Sequence, residues 1–209
     1  MRRDGLSDGQ FRPSPTAENF SIMITIVSGL PRSGTSLMMQ MLAAGGLPIL
    51  SDGERVADVD NPRGYLEWER IKQLPQDPAC IAQAEGKVVK VISRLLLSLP
   101  AEHEYRILFM QRPLPEVMAS QDEMLRHRGT FKAGANAEFI SQAFERHLRE
   151  VYAWLDRRPG STVSRISYHR VLSEPRAVAK ELQTFLGTTL DVDAMVGQVD
   201  PALYRNRSK

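Results

Sequence analysis

Residues 22–46, read as IMITIVSGLPRSGTSLMMQMLAAGG, decide the fold. The apolar, β-branched opening (Ile24, Ile26, Val27) stops at Gly29. A tight loop follows, Leu30-Pro31-Arg32-Ser33-Gly34, and an amphipathic helical pattern opens at Thr35-Ser36. Strand, glycine-bounded loop and helix in that order form a phosphate cradle. Backbone N–H groups of the loop and first helical turn converge on an anion, and the helix dipole adds positive potential there. Gly29 and Gly34 allow backbone angles and close approaches that a side chain would obstruct.

The spacing is that of a P-loop, but Thr35 stands where the triphosphatase pattern requires lysine. The only cation in the loop is Arg32. A P-loop lysine reaches the β- and γ-phosphates of a triphosphate, so its loss points to a different phosphorylated ligand.

At 209 residues the chain is long enough for one α/β domain with a substantial core. A net charge of +2 gives no diffuse footprint for nucleic acid or a membrane surface, so phosphate binding must come from a few placed cations. Cys80 is the only cysteine, which excludes an internal disulfide and a thiolate metal cluster. Arg2 and Arg3 are not followed by a signal-peptide core, and no run approaches the roughly 20 apolar residues of a membrane span. The expectation is a soluble, cytoplasmic protein with a loose tail over residues 1–20 and a single domain over 21–209.

After the first helix, ended by Gly45-Gly46, residues 47–66 show no sustained period, and a connection this long is usually functional. A short helix is predicted over Glu67 to Leu74, with another after Pro78. KVVKVI (residues 87–92) reads as a strand, followed by a short helical segment over Arg94 to Leu99. YRILFM (residues 105–110) reads as a buried strand leading to a helix over Pro113 to His127. A long helix covers about 135–157, where Ile140, Phe144, Leu148, Val151 and Leu155 keep helical spacing and His147 is a half-buried structural residue. A last strand spans Ser161 to Ser167, a helix spans Glu174 to Leu186 with Gly187 closing it, and a short helix lies near Asp191–Val196. Alternating strands and helices imply a three-layer α/β sandwich, doubly wound on a mostly parallel sheet, of the P-loop nucleoside-triphosphate-hydrolase type.

Enzymes of that architecture place an aspartate at a strand end to hold magnesium. Here KVVKVIS ends in Ser93, and YRILFMQ runs into Arg112. Strand C-termini face the ligand crevice of a doubly wound sheet, so Arg112 should share a cleft with the P-loop. Ser120, about two helical turns on, can join it in gripping one phosphate. The competing readings are a surface ion pair of Arg112 with Glu116, and a helix-packing role for Ser120.

GLPRSGTS followed by RPLPEVMASQ resembles the sulfotransferases that use 3′-phosphoadenosine-5′-phosphosulfate, and ISYHRVLSEPRAVAKELQTFLG resembles their C-terminal strand–loop–helix segment. The resemblance implies that Pro31 to Ser36 (Pro31, Arg32, Ser33, Gly34, Thr35, Ser36) hold the 5′-phosphosulfate and that Arg112 and Ser120 hold the 3′-phosphate. It implies transfer to a hydroxyl or amine acceptor without a metal. Arg32 then stabilises charge on the bridging oxygen. The family's base is a Glu or His near the loop after the first helix. Glu54 is the first positional match, Glu67 the second and His103 the third. Lys90 lies at a sheet end or faces the cleft. Arg205 and Arg207 close over the nucleotide or belong to a tail, and Tyr65 and Trp68 line an acceptor pocket or only pack. A small-molecule kinase with a divergent P-loop and a non-catalytic nucleotide-binding module are the alternative functions. Carbohydrate, peptide tyrosine, lipid and small alcohol or phenol acceptors all stay open, as does the oligomeric state.

Overall fold

The computed structural model describes residues 23–131, 137–200 and 202, so the expected N-terminal tail, Arg205 and Arg207 lie outside the described residues. Strand β1 (Ile24–Gly29) is buried along its whole length and feeds through the loop into helix α1 (Thr35–Ala44). Strand β2 (Ile49–Leu50) follows, then two 3₁₀ segments over Glu69–Gln73 and Pro78–Ala84. Next come β3 (Val88–Lys90), the single turn α2 (Ser93–Leu96), β4 (Tyr105–Gln111) and α3 (Leu114–His127). The chain continues through α4 (Ala137–Arg157), β5 (Ser161–Ser167), α5 (Tyr168–Ser173), α6 (Pro175–Leu186) and α7 (Val192–Val196).

The five strands form one sheet in the order β2-β3-β1-β4-β5, and every pairing is parallel. Winding runs from β1 to one edge and then resumes on β1's other side at β4. The crevice of such a sheet opens where the winding reverses, at the carboxyl ends of β1 and β4. The period-2 alternation divides the core in two. Val27, Val88, Leu108 and Met110 pack against α1, α5, α6 and α7. Ile24, Ile26, Val89, Ile107 and Phe109 pack on the opposite face, against both 3₁₀ segments and the carboxyl half of α4. Helices on both faces are what a parallel sheet requires.

Three elements depart from the sequence reading. Strand β2 lies within the stretch predicted to be irregular, where two residues cannot show a period. Helix α5 starts directly after β5, its first turn capped by Ser167, whose Oγ accepts the Arg170 N–H. The expected helix at 67–74 is a 3₁₀ segment, and Pro75 cannot continue it.

Gly29 shows how tightly the loop is built. Its φ is +150°, and a Cβ there would stand 2.4 Å from Ser33 Oγ and 2.8 Å from the Met110 carbonyl oxygen, part of the sheet backbone. Gly53 has φ +72° with nothing near a Cβ. Gly29→Ala should therefore lower unfolding free energy by about 2–3 kcal/mol, against about 1 kcal/mol for Gly53→Ala, measured by urea titration. Equal costs would mean that the loop and β4 do not close on each other as described.

Candidate active site

A cavity of about 380 Å³ includes P-loop residues Arg32, Gly34, Thr35 and Ser36 in its lining, along with Lys90, Arg112 and Ser120. These residues sit at or beyond the carboxyl ends of β1, β3 and β4, where the topology opens the crevice. The loop turns tightly: the Ser33 N–H donates to the Leu30 carbonyl at 3.1 Å, and Arg32 takes φ +71°. A left-handed backbone costs a non-glycine residue on the order of 1 kcal/mol or more. Here it directs the Arg32 side chain across the crevice, where Nε donates to Ser120 Oγ at 3.0 Å and Nη2 to the Asp60 carbonyl at 3.3 Å. The two groups expected at separate phosphate grips are thus in direct contact.

Ser33 lies beneath the loop, 1% exposed, and its hydroxyl has no hydrogen-bond partner among the described residues. The first N–H groups of α1 have no carbonyl one turn below them, and Gly34 provides no side-chain cap. Unsatisfied donors at a helix start, with cations around them, make a donor set that fits a multiply charged anion.

Lys90 has both features that the sequence left as alternatives: it ends β3 and it lines the cavity. Its ammonium donates to Ser36 Oγ at 2.8 Å, the Tyr65 carbonyl at 3.0 Å and Glu67 Oε1 at 3.0 Å. The side chain is 4% exposed, and burial pulls its pKa down against the opposing pull of Glu67. Arg55 Nη1 reaches the same carboxylate, at 3.0 and 2.8 Å from its two oxygens, and its guanidinium carbon lies 3.4 Å from the centre of the Tyr65 ring. Burial alone would raise the Glu67 pKa, but Lys90 and Arg55 outweigh it and hold the carboxyl below its ordinary range.

Arg112 does pair with Glu116, yet the pair is enclosed rather than on the surface, and Arg112 still lines the cavity. Among the candidate bases the positions diverge. Glu67 lines the cavity, whereas Glu54 is exposed, outside the lining, with its N–H bonded to Asp52 Oδ1. His103 precedes β4 and pairs with Glu85, which precedes β3, so it lies at the amino ends of the strands, away from the cavity. Tyr65 and Trp68 both line it. His147 is held by Ser93 Oγ at 2.9 Å, and burial pushes its pKa down.

Residues beyond those singled out from the sequence complete the site. Gln40 on α1 donates to the Gly64 carbonyl, and Asp60 meets His127 on α3, which pins the long connection over the crevice. Tyr168, the first residue of the unforeseen helix α5, packs on Gly34, where an added Cβ would come within 2.4 Å of its ring. No three His, Cys, Asp or Glu side chains converge as a metal site among the described residues. No helix among them is long and apolar enough to cross a membrane.

Among solved structures the chain is similar to sulfotransferase STF1 from Mycobacterium tuberculosis H37Rv, with 16% identity and a TM-score of 0.56, covering 88% of this chain and 73% of that one. It is also similar to the sulfotransferase domain of the Synechococcus PCC 7002 olefin synthase, with 18% identity and a TM-score of 0.50, covering 90% and 80%. At these identities the likeness is one of fold. No curated protein sequence matches. The profile of the sulfotransferase domain matches residues 24–206, from the start of β1 to beyond α7, and the chain therefore belongs to the sulfotransferase domain family.

Proposed function

We propose that the protein transfers a sulfuryl group from 3′-phosphoadenosine-5′-phosphosulfate to a hydroxyl or amine acceptor, by in-line attack and without a metal. The observation that carries this reading is the lining of one crevice by a P-loop without its lysine, by Lys90 from β3, and by Arg112 and Ser120 beyond β4. Pro31 to Ser36 form the cradle for the 5′ end, and Arg112 with Ser120 receives the 3′-phosphate. When bound, the donor supplies an activated sulfuryl group whose departure leaves negative charge on the 5′-phosphate.

The residues divide the remaining work. Loop N–H groups and Arg32 stabilise the charge that develops on the leaving side, and they do so electrostatically because a guanidinium does not give up its proton. Lys90, bonded to Ser36 and Glu67, places a second cation between the cradle and the acceptor side. Glu67 accepts the acceptor's proton. It is preferred to Glu54 because it lines the cavity and Glu54 does not. The long connection over 51–66, pinned across the crevice, forms the wall on which acceptor choice depends.

In a sulfuryl-transfer assay, Arg32→Ala should lower kcat about 100-fold or more while the KM for the donor changes much less. Unchanged turnover would remove Arg32 from the reaction. Glu67→Gln should lower kcat by about 10²–10⁴ with nucleotide affinity retained, whereas Glu54→Gln should stay within about twofold of the parent. The reverse ranking would move the base to the outer carboxylate.

The acid limb of the kcat/KM profile offers a separate check. Glu67 works as a carboxylate, and its pKa lies below the ordinary value of 4.5 because Lys90 and Arg55 outweigh burial. Removing a cation raises that pKa, so the Arg55→Met profile should lose activity at a higher pH than the parent as the medium is acidified. An acid limb that stays in place, or moves lower, would show that Glu67 does not control it.

A further inference from the structure

Arg112 is held from behind. Its Nε donates to Glu116 Oε2 at 3.0 Å and its Nη1 to the Arg32 carbonyl at 3.0 Å, with Tyr168 stacked 4.7 Å from its guanidinium carbon. Glu116 is the more enclosed partner, its side chain 1% exposed against 6% for Arg112. On its other side His169, from α5, brings Nε2 to 3.1 Å from both carboxylate oxygens. The carboxylate thus joins α3, α5 and the cavity-lining guanidinium through one buried point.

A buried ion pair of this kind adds little net stability, because desolvation of both groups offsets most of their attraction. Its physical contribution is direction. A free arginine side chain carries rotamer entropy, which a ligand must otherwise overcome on binding. Bonds at Nε and Nη1, with a ring against the face, fix the plane of the guanidinium before any ligand arrives.

We propose that Glu116, with His169 behind it, is a positioning residue that aims Arg112 at the donor's 3′-phosphate and so sets the preference for a 3′-phosphorylated nucleotide. The inference rests on the donor reading given above and adds to it the residues that make the grip selective. Glu116 touches neither donor nor acceptor; it acts through Arg112.

The test is calorimetric binding of 3′-phosphoadenosine-5′-phosphate and of adenosine 5′-phosphate to the parent, Glu116→Gln and His169→Asn proteins. The parent should prefer the 3′-phosphorylated nucleotide. Glu116→Gln should cut that preference about tenfold while adenosine 5′-phosphate binding stays within about twofold, and His169→Asn should cut it about threefold. A preference unchanged in both variants, or an equal loss for both nucleotides, would overturn the positioning role while leaving the donor reading intact. A parent with no preference would overturn the donor reading, and the inference with it. If Glu116→Gln does not fold, His169→Asn decides alone, since that side chain is 43% exposed and its loss leaves the core intact.

Discussion

At the carboxyl end of β3, Lys90 Nζ commits its hydrogen bonds to three different segments: Ser36 on the first turn of α1, the Tyr65 carbonyl on the long connection, and Glu67 just beyond it. An ammonium this deeply enclosed is costly unless each proton is placed, so the three partners and the lysine constrain one another. The phosphate cradle, the connection that covers it and the carboxylate beside it are held in register by that one charge. Arg55 adds a second cation to Glu67 and lies on the Tyr65 ring, which ties the connection back to the same point.

The sheet supplies the frame. Parallel strands in the order β2-β3-β1-β4-β5 bring the ends of β1, β3 and β4 to one edge, so a loop, a lysine and an arginine far apart in sequence line one cavity. Local strain is concentrated there: Gly29 sits too close to β4 for a side chain, and Arg32 adopts a left-handed backbone. The contact of Arg32 with Ser120 also shortens the distance between the groups read as two anion grips. A nucleotide with phosphates on neighbouring parts of one ribose suits such adjacency.

Some of this was legible in residue order and some was not. The β-branched run, the two glycines and the helical pattern that opens at Thr35-Ser36 are local signals, and β1 and α1 follow them closely. Arg112 was legible because a rule of topology, not of neighbours, says where a strand end points. Strand β2 was hidden because two residues show no period and pair only across the sheet with Val88 and Val89. The choice between Glu54 and Glu67 depends on how the long connection folds back over α1, through contacts such as Gln40 with Gly64, which spacing cannot express. The pairing of Arg112 with Glu116 was readable from the four-residue interval, but its burial was not: Tyr168 and His169 arrive from α5, a helix that no periodic pattern announced.

The most direct measurement is a crystal structure of the protein with 3′-phosphoadenosine-5′-phosphate. The 5′-phosphate is expected on the backbone N–H groups of Arg32 and residues 34–36, the 3′-phosphate within hydrogen-bond reach of Arg112 and Ser120, and Glu67 with Lys90 facing the side from which an acceptor would enter. A nucleotide seated outside this crevice, or one whose 3′-phosphate points to solvent while the two arginines keep their present contacts, would contradict it.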